Sequence, residues 1–173
     1  MADKDVADQP ELTETEKRDN VIRLAFGGDE RAFDAFIDLI RSSIPEGTGV
    51  VLRGSAVTGE RWKDGASFDA RGPGTSDLDL TLVGEKVLEF FKITGFFVPG
   101  IHSRPLSDED PTIAPELVPL REQLMAMVHR PVNIQATRDA VMYFRGELLG
   151  QPYLTLIERG EETTAPRQRR HHE

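Results

Sequence analysis

Two short segments carry the residue types that handle phosphate and metal. Gly54-Ser55 closes an apolar run, Val50-Val51-Leu52-Arg53, and 21 residues separate it from Asp77-Leu78-Asp79, within Thr75-Ser76-Asp77-Leu78-Asp79-Leu80-Thr81-Leu82-Val83. Leu78, Leu80 and Leu82 alternate with Asp77, Asp79 and Thr81, so a strand puts the leucines on one face and both aspartates on the other. Two carboxylates so placed have Cα atoms about 6 to 7 Å apart, near enough to converge on one hard divalent cation, Mg2+ or Mn2+. A glycine-serine turn at the end of a strand adds backbone N–H groups able to hold a phosphate. Arg53 and Arg71 are candidate phosphate-binding cations beside it, although such arginines more often serve at the surface or in ion pairs.

Metal next to a phosphate cradle points to nucleotide chemistry. A nucleoside triphosphate clusters negative oxygens, and in-line attack at phosphorus adds charge on the entering and leaving groups, which divalent ions stabilise. Asp77 and Asp79 would anchor the metal while Gly54 and Ser55 hold the terminal phosphates.

Helices and strands to position these segments can be read from the flanking periodicity. A short helix is expected over Glu16 to Phe26, and a stronger one over Asp29 to Ser42, where Phe33, Phe36, Ile37 and Ile40 recur at helical spacing behind Asp29 as N-cap. Pro45-Glu46-Gly47 breaks the pattern, and Gly49 to Arg53 reads as the first strand. Glu60 to Gly74, with Asp64-Gly65 between Trp62 and Phe68, reads as an inserted hairpin or lid. Partial burial of Trp62 in that hairpin is favoured over stacking on a base. A short helix over Glu85 to Phe91 and a long irregular loop over Ile93 to Pro111 follow. Next come a helix over Glu116 to His129 and a strand over Pro131 to Ala136, with Val132, Ile134 and Ala136 inward and Asn133 and Gln135 opposite. A helix over Asp139 to Leu149 stops at Gly150 and Pro152, and Tyr153 to Ile157 forms a final strand or turn.

Gly54-Ser55 at a strand end, followed by Ser76-Asp77-Leu78-Asp79-Leu80 on the next strand, resembles the nucleotidyltransferase fold of the DNA polymerase β superfamily, especially its minimal members. The resemblance covers residues 30 to 150 and implies a small mixed β-sheet flanked by helices. It also implies a third carboxylate on a later strand, which completes a second metal site and acts as base. Here that position falls on Asn133, which can offer a carbonyl to a metal but takes up no proton at neutral pH. Asp139 and Glu147 are the alternative carboxylates. The connection from Glu60 to Gly74 is also longer than in minimal members.

Composition bounds the rest. At 173 residues with 38% hydrophobic content, one domain with a single core is expected, over residues 16 to 158, between an acidic leader (1 to 15) and a basic tail (159 to 173). A net charge of −9 opposes an extended nucleic acid as partner. With no cysteine, disulfides and thiolate metal sites are excluded, and His102 and His129 lack metal-ligand spacing. No apolar run approaches the roughly 20 residues that span a bilayer, so no membrane partner is expected and cytoplasmic residence is. The first functional expectation is a metal-dependent nucleotidyltransferase that moves a nucleoside monophosphate from a triphosphate to an unidentified acceptor. A second is a catalytically degenerate module of that fold that binds nucleotide or a protein partner, a second copy of the chain included. A glycosyltransferase using Asp-x-Asp on a nucleotide-sugar metal ranks last, because those domains are generally larger.

Overall fold

The computed structural model describes residues 11–160 apart from 147 and 149. The tail beyond Gly160, Glu147 and most of the acidic leader therefore lie outside the described residues. Thr13 accepts a hydrogen bond from the Glu16 N–H at 3.1 Å and caps α1 (Glu14–Ala25), so the helix starts inside the expected leader. Asp29 caps α2 (Glu30–Ser43) as the sequence suggested, accepting from the Ala32 N–H at 3.1 Å.

Among the described residues six strands form one mixed sheet: β1 (Gly49–Arg53), β2 (Leu78–Val83), β3 (Phe96–Val98), β4 (His102–Ser103), β5 (Val132–Thr137) and β6 (Tyr153–Ile157), in the order β3-β4-β5-β2-β1-β6. Only β2 and β5 run parallel; the other neighbours are antiparallel. Between β1 and β2 lies a single helical turn, α3 (Ser55–Thr58), and α4 (Val118–Val128) precedes β5. The fold is α+β, a six-stranded mixed sheet flanked by helices.

Leu78, Leu80 and Leu82 share a buried cluster with Val50, Leu52, Val132 and Ile134, joined by Phe33, Phe36 and Ile40 of α2 and Leu120, Leu124 and Val128 of α4. At roughly 1.5 to 3 kcal/mol for each large side chain buried, this layer is the main source of stability. Period two makes it possible, since it delivers the leucines to one face and the aspartates to the other.

The second face departs from the simple alternation. Thr81 and Val83 are buried there instead of sharing solvent with the aspartates. The reason is α5 (Ala140–Gly146), which lays buried Tyr143 on this face with its hydroxyl 2.6 Å from the Thr81 hydroxyl. Toward the start of β2, Asp79 is half-buried, and Asp77, just before the strand, is exposed, so the face opens toward the Asp77 end.

Residues 93 to 111 are more ordered than a long irregular loop. A 3₁₀ turn at Ile93–Gly95 leads into β3 and β4, and Leu106 bridges to Ile134, because Leu106 is apolar enough to be fully buried against the sheet. In the insert, by contrast, the expected hairpin reduces to one bridge between Glu60 and Ser67 around an Asp64-Gly65 turn.

Candidate active site

Three adjacent strands deliver the polar residues. Arg53 stands opposite Asp79 in the β1–β2 register, and Asp79 stands opposite Asn133 in the β2–β5 register, so all three side chains leave the same face. The amide nitrogen of Asn133 donates to Asp77 at 2.8 Å and to Asp79 at 3.0 Å. Both carboxylates therefore converge on one point, marked by a donor of positive character. Asn133 thus stands beside both aspartates, on the strand next to that of Asp79.

Convergence has an electrostatic cost. Burial pushes the Asp79 carboxyl above its ordinary value and the Asp77 charge adds to the rise, while the Arg53 charge and the Asn133 hydrogen bond oppose it. Arg53 also reaches Gln135 at 3.4 Å on the inner side of the site, so it balances Asp79 as well as lining the cleft.

The glycine-serine turn lies against the aspartates. Gly54 has φ +104° and ψ −172°, a region that only glycine enters without strain, and a Cβ there would stand 3.4 Å from an Asp79 carboxylate oxygen. Ser55 follows, buried, at the start of α3. Together these residues form one wall of a cleft of about 480 Å³. Asp77 and Asp79 line it, as do Arg53 and Arg71 and, from the insert, Arg61, Trp62 and Lys63. All the predicted phosphate-binding and carboxylate residues thus meet in or beside a single cavity.

Arg61 and Lys63 were not among the sequence candidates, since nothing in their spacing distinguishes them from surface cations. Asp69 and Arg130 escaped notice as well. Arg130, two residues before β5, is bidentate to Asp69 at 2.8 and 3.1 Å, donates to the Ser76 carbonyl at 2.8 Å and lies 4.4 Å over the Phe68 ring. Asp69 accepts in addition from the N–H groups of Gly74 at 3.2 Å and Ser76 at 3.0 Å. The hydrogen bonds from Arg130 are the chief cause of its carboxyl being held down at about 2. This clasp fixes the base of the insert one residue before Asp77.

Gly74 closes the same junction. Its φ is +74°, and a Cβ would meet the His129 carbonyl oxygen at 2.9 Å. His129 itself ends α4 in a left-handed conformation, and His102 is buried with its ring nitrogen on the Thr137 hydroxyl at 2.5 Å, so both histidines hold structural posts.

Two expectations need correction. Asp139 is no substitute for the third carboxylate: about 13 Å of strand separates Asn133 from the end of β5 at Thr137, Asp139 sits in the turn beyond it, and its carboxylate accepts from the Met142 N–H at 2.9 Å as the α5 cap. Trp62 does not pack into its hairpin but is 58% exposed, because Phe68 takes the inward position under Arg130.

Comparison with protein-family models, with characterised proteins and with solved structures finds no match. Among the described residues, no three His, Cys, Asp or Glu side chains gather as a metal cluster, so any cation here would rest on two carboxylates and Asn133. No helix among the described residues is long and apolar enough to cross a membrane.

Proposed function

We propose that the cleft binds a nucleoside triphosphate with Mg2+ or Mn2+ and transfers the nucleoside monophosphate to an acceptor, in the manner of the nucleotidyltransferase fold that the sequence resembles. One observation carries the reading: Asp77, Asp79 and Asn133 converge beside the Gly54-Ser55 turn, at the mouth of a cleft rimmed by Arg53, Arg61, Lys63 and Arg71. Asp77 and Asp79 would hold the metal, with the Asn133 carbonyl available after half a turn of its amide. The ion would supply charge neutralisation at the phosphates.

The chain's own groups account for the rest. Gly54, lacking a side chain, lets a phosphate approach the backbone, and the insert cations offset the charge of the polyphosphate. Calorimetric titration with ATP should show binding that requires Mg2+ or Mn2+, and labelled ATP should release pyrophosphate in an acceptor screen. Absence of binding with metal present would overturn the proposal.

A second reading, a module that binds nucleotide without turnover, is favoured by Asn133 itself. No carboxylate among the described residues joins Asp77 and Asp79 to act as base. ATP binding with no pyrophosphate release across the screen would select it.

A further inference from the structure

Trp62 is 58% exposed on the wall of the cleft, yet the segment that carries it is tightly built. The Arg61 N–H donates to the Ala66 carbonyl at 2.8 Å, the Gly65 N–H to the Arg61 carbonyl at 2.8 Å, and the Phe68 N–H to the Gly59 carbonyl at 2.9 Å. The Asp64 carboxylate caps the turn through the Ala66 N–H at 3.0 Å. At its base, Phe68 and Asp69 are clamped by Arg130. The insert is therefore anchored by one aromatic while the other is held out into the cleft. An exposed indole costs stability by ordering water around a large apolar face, and nothing in the turn uses that face.

We propose that Trp62 is the base-stacking platform of the nucleotide site, with Arg61 and Lys63 on either side of it directed at the polyphosphate. The proposal rests on the nucleotide reading above and adds the part of the ligand that the aspartates and the Gly-Ser turn do not address. Stacking uses the π-face that every base has, so it gives tolerance among bases, and larger purines gain more than pyrimidines.

The chain contains a single tryptophan, so its intrinsic fluorescence reports this position alone. With Mg2+ present, ATP should quench Trp62 strongly, whereas inorganic tripolyphosphate, which has the charge but no base, should bind with little quenching. Trp62→Ala should weaken ATP binding by about tenfold in calorimetry and leave tripolyphosphate affinity within about twofold, and Trp62→Phe should recover most of the ATP loss. CTP should bind Trp62→Ala and wild type with a smaller difference than ATP does.

Equal losses for ATP and tripolyphosphate in Trp62→Ala would overturn the stacking role and point to a disturbed turn. Unchanged ATP affinity in that variant would overturn it too, leaving the nucleotide reading intact. If neither ATP nor tripolyphosphate binds the wild-type protein, the nucleotide reading falls and the stacking role falls with it.

Discussion

Asp69→Asn is expected to loosen the base of the insert, and the structure sets the size of the effect. The substitution keeps the side-chain shape but removes the charge opposite Arg130, whose side chain is only 7% exposed and would retain the Ser76 carbonyl and the Phe68 ring as partners. The Asp69 carboxyl is held at about 2 instead of 3.8, a difference worth about 2.5 kcal/mol at roughly 1.36 kcal/mol per pH unit. Its side chain is 21% exposed, so water screens part of that value. Breaking a fully buried pair costs about 3 to 5 kcal/mol and an exposed one less than about 1. A loss of about 2 kcal/mol at pH 7 lies between these limits. Urea denaturation of wild type and variant measures it directly. Because the folded-state value is depressed, the contribution is present above the ordinary 3.8 and fades as pH falls toward 2. The gap between the two proteins should therefore be constant from pH 7 to 5 and shrink across that acidic window. A cost under about 0.5 kcal/mol at pH 7, or a gap that persists to the acid end, would refute the assignment of Asp69 as the charged half of the clasp.

Asp79→Asn should abolish Mg2+-dependent ATP binding in calorimetry while leaving the melting temperature equal or higher, since it removes a charge crowded against Asp77; Asp77→Asn should likewise weaken binding, and unchanged affinity in both would remove the metal from the site. Asn133→Asp adds a third carboxylate, so pyrophosphate release should rise with ATP affinity altered only a few-fold. Its metal-free melting temperature should drop and recover with Mg2+, whereas brisk wild-type turnover lost in this variant would place the base elsewhere. Gly54→Ala forces a side chain into a glycine-only conformation 3.4 Å from Asp79; urea denaturation should show a loss of about 1 to 3 kcal/mol and calorimetry a weaker ATP site, and a neutral effect on both would contradict the geometry of the turn.

What the sequence made legible was local. The Asp77-Leu78-Asp79-Leu80 alternation is a period-two signal complete within four residues, and it placed the aspartates opposite the buried leucines as found. Gly54-Ser55 after Val50-Val51-Leu52 was similarly self-contained, and so was Asp29 before its helix. Placing Asn133 required one step more: Val132 and Ile134 give its face but not its register, and the pairing with Asp79 is set between strands far apart in sequence. The readings failed where a distant residue decided the outcome. Thr81 follows the aspartates in the alternation, yet it is buried because Tyr143, 62 positions later, lies across it. Trp62 competes with Phe68 for the same local hydrophobic contact, and the competition is settled by Arg130, which stacks on Phe68 and ion-pairs with its neighbour Asp69. No periodicity in residues 60 to 74 encodes that clasp. The cleft's charge is illegible for a related reason: Arg61, Lys63 and Arg71 become neighbours of Asp77 only once the insert has been pinned at Asp69 and folded back over the turn. A chain of net charge −9 thereby gathers four cations beside two carboxylates, a local field that its composition conceals.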